Sequence, residues 1–307
     1  MMEPTVIEVE GLTKSYKHVS ALRGLDLKIP RGSVCGFLGR NGAGKTTTLR
    51  ILLGLARADA GRAAVFGLPC GHEASSIEIR KRTGYVSERK QLYPYMTVDQ
   101  VIRFTKPFYP KWNDRLEVHY RHLFELDGSR RIPALSKGAL SKLNLLLALC
   151  RGADLLILDE PTDGLDPAVT EDVLQALVSH VAEEGVTLFF SSHQLQEVEQ
   201  IADWVCLIHE GRTVVNESLE DLRGTCRRVQ MVFESNVNEA AARLAELGKV
   251  RQDGRWASVL VRDGGHRAVE LGRALGAKSI EVEPVSLKEL FLDSVKRDSV
   301  KRETEVM

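Results

Sequence analysis

Long apolar runs are missing from this chain. The stretch 143–150 is among the longest, far short of the ~18 residues that a membrane-spanning helix requires. The chain is therefore expected not to cross a membrane alone. Net charge is missing as well: 42 basic residues stand against 42 acidic ones, so no global field favours nucleic acid or an anionic membrane surface. Cysteine is sparse. Cys35, Cys70, Cys150, Cys206 and Cys226 are odd in number and never form a CxxC pair, which disfavours a disulfide framework or zinc site and points to buried thiols in a reducing cytosol. Residues 1–10 are acidic and lack an apolar core, so no secretory signal is expected. Internal repeats and low-complexity tracts are absent from the sequence.

What remains is the composition of an ordinary globular protein, 43% hydrophobic and 27% charged over 307 residues, enough for one large domain with a small one or for two of medium size. Residues 6–9 and 25–29 alternate apolar and polar side chains and read as strands of an antiparallel edge. Residues 33–38 form a short apolar run that ends in a glycine loop, and 46–55 have helix-forming composition. The runs 155–158 and 186–190 fit buried parallel strands. Between them Val169, Val173, Leu174, Leu177, Val178 and Val181 make one helical face. Alternating strands and helices predict an α/β sheet.

The segment 97–151 lacks strand signals and reads as a helical insertion. Nine of the eighteen Phe, Tyr and Trp residues fall within 85–124, so that region is either a contact surface or a small packed subdomain. After Gly224 the pattern restarts: a strand at 229–233, a helix at 238–247 and a hairpin at 250–261 around Asp253 and Gly254. A helix at 267–275, a strand at 280–282 and a helix at 287–295 follow. That order predicts a small ferredoxin-like domain. The expected domains are 1–224, 225–295 and a charged, disordered tail at 296–307.

The chemistry concentrates in two places. Gly39, Arg40, Asn41, Gly42, Ala43, Gly44, Lys45 and Thr46 fit GxxxxGK[ST] in full, between a predicted strand and a predicted helix. Glycines let successive backbone N–H groups turn onto phosphates, aided by the positive end of the following helix. Lys45 is expected to reach the β- and γ-phosphates and the Thr46 hydroxyl to ligate Mg²⁺; Thr47 joins the nucleotide-binding set. A glycine turn that binds nothing is the structural alternative, and the downstream partners argue against it. The apolar run 155–158 ends in Asp159 and Glu160. Asp159 would face the magnesium and Glu160 would polarise the attacking water; two acids that merely cap the next helix are the structural alternative. The reading is an enzyme that binds ATP with Mg²⁺ and hydrolyses it.

With those motifs placed, the surrounding residues resemble the ABC ATPase family. Leu135, Ser136, Lys137, Gly138 and Ala139 stand where that family carries its LSGGQ signature. Asp163, Gly164, Leu165 and Asp166 look like its D-loop, and His193, after Ser191 and Ser192, like its switch histidine. Tyr16 matches the aromatic that stacks on adenine, and Gly84, Tyr85, Val86, Ser87 and Glu88 match the Q-loop. The motifs keep the family's order over 6–222. The resemblance implies a P-loop NTPase fold with a mixed central sheet, an inserted helical subdomain and the small C-terminal domain already noted. It also implies that the signature of one subunit closes over ATP held by another, so that Ser136 and Gly138 contact the γ-phosphate in trans while His193 holds it. Glu88 would join Thr46 and Asp159 at the metal, and residues 163–166 would lie at the interface. The implied partners are a second ATPase subunit and a separately encoded ABC permease, at the inner face of the cell membrane. Similarity of residues 286–291 to tails of ABC-2-type exporter ATPases implies export.

Three positions depart from the family pattern. Glu88 stands for glutamine, Lys137 for a signature glycine and Ala139 for the signature glutamine. An altered interface is expected there, with hydrolysis retained because Glu160 and His193 are intact. A non-transport ABC ATPase acting on ribosomes or nucleic acid is the alternative; such relatives carry two cassettes or long coiled-coil insertions, which this chain lacks. A small-molecule kinase is opposed by the signature and D-loop residues. His18, His72, His119, His122, His180, His209 and His266 have no metal-ligand spacing and read as surface or packing residues.

Overall fold

The computed structural model of the chain describes residues 4–88, 91–234 and 237–291. It divides into two compact units, Met1–Asn216 and Glu217–Met307, a division that falls before helix Leu219–Thr225 rather than after residue 224.

In the first unit, strands Val34–Leu38, Leu155–Asp159 and Thr187–Ser192 are buried along their whole length. Sheets covered on both faces favour such unbroken apolar runs. They belong to a six-stranded sheet in the order Arg212–Ser218, Trp204–His209, Val34–Leu38, Thr187–Ser192, Leu155–Asp159, Thr83–Val86. The pairings from Trp204–His209 to Thr83–Val86 are all parallel, so these strands end at one rim. Leu49, Ile51 and Leu52 of helix Lys45–Leu52 are buried in the same core as Phe37 and Phe189, whose rings lie 5.0 Å apart. The expected antiparallel edge is a separate sheet, in which Thr5–Tyr16 pairs with both Val19–Pro30 and Ala60–Val65.

Between residues 97 and 151 the regular elements are helical: Val98–Thr105, Lys106–Phe108, Asp114–Leu123, Ile132–Ala134 and Lys137–Leu149. Each longer helix begins at a side-chain cap. Thr97 and Gln100 form a capping box, Asn113 accepts from the N–H groups of Arg115 and Leu116, and Ser136 accepts from Ala139. The aromatics of this region divide in two. Tyr120 and Phe124 are buried and stacked, whereas Tyr93, Tyr95, Phe104 and Phe108 touch one another in an exposed row. The packing expectation therefore holds for Tyr120 and Phe124, and the exposed row is where a contact surface would lie.

The second unit contains Arg227–Val232, Asn238–Leu244, Lys249–Asp253, Trp256–Val261, His266–Ala274 and Ser279–Pro284 in chain order. Its sheet runs Lys249–Asp253, Trp256–Val261, Arg227–Val232, Ser279–Pro284, with antiparallel neighbours throughout. This is the ferredoxin-like arrangement. Val229, Met231, Val259 and Leu244 form its core. On the other face of the sheet Arg228 is buried beside Glu289 (3.2 Å). The closing helix is present over 287–291; its expected continuation to 295 and the tail 296–307 lie outside the described residues.

His180 is a packing histidine, as expected of its type. It is buried on helix Pro167–Glu184, with Nδ1 3.1 Å from the Tyr120 hydroxyl on helix Asp114–Leu123. Burial lowers its pKa to about 4. Between the unfolded value near 6.5 and that folded value, the unfolded chain binds a proton that the folded chain refuses. Stability at this site is full above the unfolded pKa and falls as pH drops towards the folded one. Urea denaturation at the two ends of the window should show wild type losing up to about 3 kcal/mol relative to His180→Asn; an unchanged difference would mean that His180 is not held neutral.

Candidate active site

Because strand Val34–Leu38 is parallel to both neighbours, its C-terminal end delivers Gly39 to the common rim. The loop turns into helix Lys45–Leu52 at Gly44, whose φ of 110° lies in the left-handed region. A β-carbon there would sit 2.7 Å from the Ala21 carbonyl oxygen, so only glycine fits. Gly44 provides no side-chain cap, which leaves the first N–H groups of the helix free for a ligand. An open cavity of about 450 Å³ lies against them, lined by Arg40, Asn41, Gly42, Gly44, Lys45, Thr46 and Thr47, and also by Val19, Ala21, Glu88 and Glu160.

Two carboxylates meet the loop from the end of strand Leu155–Asp159. Asp159 is fully buried; its Oδ1 accepts from the Ser191 hydroxyl (2.8 Å) and it also bonds the Thr46 side chain. Its Oδ2 is buried with no partner among the described residues. Burial raises its pKa, against the opposing pull of those two hydroxyls and of Lys45. Glu160 follows with a left-handed φ of 48°, a conformation unfavourable for a side-chain-bearing residue and typical of functional turns. Bonds at both ends of the residue hold it. Its N–H donates to Ser191 Oγ (2.9 Å), and its carbonyl accepts from the Asp163 N–H (3.2 Å).

Glu160 is 8% exposed, and its side chain bridges two others. Oε1 lies 3.0 Å from Lys45 Nζ and Oε2 lies 2.9 Å from His193 Nδ1. Lys45 donates in addition to the Gly39 carbonyl at 2.7 Å. The arrangement places an ammonium and a carboxylate on one polar cavity, with an imidazole bonded to that carboxylate; Gly39, Ala43, Asp159 and His193 do not themselves line it. It also presents a hydroxyl and carboxylate oxygens, hard donors of the kind that suit Mg²⁺. The orphaned Oδ2 of Asp159 beside Thr46 fits such an ion, and Glu88 lines the same cavity. Among the described residues no cluster of three or more His, Cys, Asp or Glu side chains holds a metal unaided. A magnesium held jointly by few side chains and by phosphates is the arrangement compatible with that donor set.

Not every expected residue reaches the cavity. Ser136 caps helix Lys137–Leu149 by accepting from the Ala139 N–H (3.1 Å), and neither Ser136 nor Gly138 lines the cavity. Lys137 turns instead towards the segment 163–166 of its own chain, with Nζ 3.6 Å from the Asp163 carboxylate. Gly164 adopts φ 64°, Leu165 donates its N–H to the Thr162 carbonyl (3.1 Å), and Asp166 caps helix Pro167–Glu184 through the Val169 N–H (3.0 Å). Tyr16 is exposed at the tip of its hairpin, opposite Val19 in register; Val19 lines the cavity and Tyr16 does not. Val19 and Ala21 carried no sequence signal, because an apolar and a small residue at a hairpin end look like any others.

Residues 22–163 match the model of the family described as ABC transporter. Over most of its length the chain is similar to the daunorubicin resistance ATP-binding protein DrrA3 of Streptomyces coeruleorubidus, with 32% identity over 96% of this chain and 95% of that protein. It is 33% identical to the bacitracin transport ATP-binding protein BcrA of Bacillus licheniformis, over 77% of each. With the ABC transporter ATP-binding protein YtrB of Bacillus subtilis it shares 28% identity, over 94% of this chain and 97% of the relative. A solved ATP-binding subunit of an ABC transporter superposes with a TM-score of 0.64 at 26% identity, covering 71% of this chain and 92% of its own.

The position of Lys45 gives a direct test. Its ammonium is bonded to the Gly39 carbonyl at the loop and lines the cavity, so Lys45→Ala is expected to weaken ATP binding by tenfold or more, about 1.5–3 kcal/mol for a lost charge-assisted bond. Equilibrium titration with a fluorescent ATP analogue reads this, and wild-type affinity would remove Lys45 from the phosphate site.

Proposed function

The chain belongs to the family of ABC transporter ATP-binding proteins and is an ABC-type ATPase, and on that footing we propose that it is the subunit that powers a separately encoded membrane permease for export. Similarity over 96% of the chain to a relative named for daunorubicin resistance, and over 77% of it to one named for bacitracin transport, carries this reading. Among the described residues no helix is long and apolar enough to cross a membrane, which suits a subunit that docks on a permease at the inner face of the cell membrane. The exposed row of Tyr93, Tyr95, Phe104 and Phe108 supports a docking role for the helical region, since contiguous exposed aromatics mark contact surfaces. The names of the relatives give no support to a role on ribosomes or nucleic acid.

The family resemblance and the geometry together support the following residue roles. Backbone N–H groups of residues 39–46, with Lys45 and Thr47, hold the phosphates of ATP. Thr46 and Asp159, joined by Glu88, hold Mg²⁺, which supplies charge neutralisation at the phosphates when bound. Glu160 polarises the attacking water and His193 orients Glu160 and the terminal phosphate. Lys45 leaves Glu160 as it turns to phosphate, and that exchange frees Oε1 for water. Tyr16 stacks on the adenine from the hairpin beside Val19. Ser136 and Gly138 lie away from this cavity, which supports a composite site completed by the same residues of a second ATPase subunit. Residues 163–166 lie at that interface. Binding of ATP then closes the dimer and hydrolysis opens it.

Glu160→Gln removes the base and keeps the phosphate grip, so turnover should fall by about a hundredfold or more while ATP drives the chain into a stable dimer. Size-exclusion chromatography with and without ATP reads the outcome; unchanged turnover would defeat the assignment of Glu160. Affinity purification of the tagged chain from its own cells should recover an integral membrane protein. Recovery with ribosomes and never with membranes would sink the transport reading.

A further inference from the structure

The turn that carries His193 is held from below by two buried side chains to which the reaction assigns no part. Ser192 ends strand Thr187–Ser192; its hydroxyl accepts the Gln194 N–H (2.9 Å) and donates to Glu197 Oε2 (2.7 Å). Glu197 lies in helix Leu195–Ile201 and is 5% exposed. Its Oε1 is buried and has no partner among the described residues. The helix lies close against the sheet: a β-carbon on Gly36 would come within 2.3 Å of Val198. Burying a carboxylate with only part of its hydrogen bonding satisfied is unfavourable, and an apolar side chain of similar size at this position avoids that cost.

The preceding residue shows the same device on the other side of the strand. Ser191 accepts the Glu160 N–H (2.9 Å) and donates to Asp159 Oδ1 (2.8 Å). Successive strand residues face opposite sides, so the two hydroxyls serve two different turns. Each relays a backbone N–H onto a buried carboxylate, one in the turn of Glu160 and one in the turn of His193. The two turns meet in the 2.9 Å contact between Glu160 and His193.

We propose that Glu197, acting through Ser192, is a positioning residue that sets the His193 turn so that its imidazole meets Glu160. The functional part of this inference rests on the reading of Glu160 and His193 as the hydrolytic pair. Its physical part, the placement of the imidazole, stands separately.

The test uses the full chain with nitrogen-15 label in histidine, together with steady-state ATP turnover. Glu197→Leu should fold, shift the His193 Nδ1 resonance and lower kcat about tenfold or more, with KM for ATP changed by less than about twofold. Glu197→Gln, whose amide oxygen still accepts from Ser192, should restore most of both readouts. Ser192→Ala should reproduce the effect of Glu197→Leu and replaces it if that variant does not fold. In a His193→Ala background Glu197→Leu should cost nothing further, since residues that act through one another are not additive. An unmoved His193 resonance in a folded variant overturns the proposal, as does full additivity with His193→Ala. A moved resonance with unchanged turnover in both Glu197→Leu and His193→Ala upholds the positioning and overturns the hydrolytic role of His193 instead.

Discussion

Glu160 is held in an unfavourable backbone conformation, almost out of water, between Lys45 and His193. A carboxylate in that position is tolerable only while its partners stay within hydrogen-bonding reach, and those two partners come from distant parts of the chain. The constraint is met by the parallel sheet. Strands that run the same way end at the same rim, and open α/β sheets bind ligands at such rims. The ends of Val34–Leu38, Leu155–Asp159, Thr187–Ser192 and Thr83–Val86 supply the phosphate loop, the carboxylates, the Ser191–His193 turn and Glu88. The unbroken burial of the inner strands is what lets four loops be aimed together.

Lys45 and Glu160 satisfy one another's charge, and Lys45 is satisfied further by the Gly39 carbonyl. On the proposed mechanism a bound phosphate competes for the ammonium, so binding and activation are the same event. The unpartnered Oδ2 of Asp159 is the complementary feature, a buried acceptor for which a cation is the natural partner.

The departures from the family pattern take on physical form. Glu88 lines the cavity beside the 39–46 loop, so on the proposed reading its added negative charge bears on the metal. Lys137 engages Asp163 across the surface, with both side chains about half exposed, a geometry in which an ion pair contributes little to stability. Its effect would therefore be felt at the interface rather than in the fold. Ala139 needs only its backbone, because its N–H serves the Ser136 cap. The second unit, Glu217–Met307, has its own core and its own antiparallel sheet.

The local chemistry was legible in the sequence because it is written in short, contiguous patterns. Residues 39–46, the pair Asp159 and Glu160, and the alternation of strands and helices need only near neighbours to be read, and glycine at position 44 is demanded by one backbone angle and one close carbonyl. Tertiary structure alone decided what met what. That Glu160 bridges Lys45 and His193, that Val19 and Ala21 wall the cavity while Tyr16 stands outside it, and that Ser136 and Gly138 lie apart from the loop are facts of strand register and helix packing. Glu197 is the sharpest case. On paper it is one acid in the first turn of a helix, an ordinary place for negative charge, and only folding buries it beneath Ser192. Sequence patterns carry backbone preference and side-chain type over a few residues; the distance between side chains far apart in the chain is set by the packed sheet.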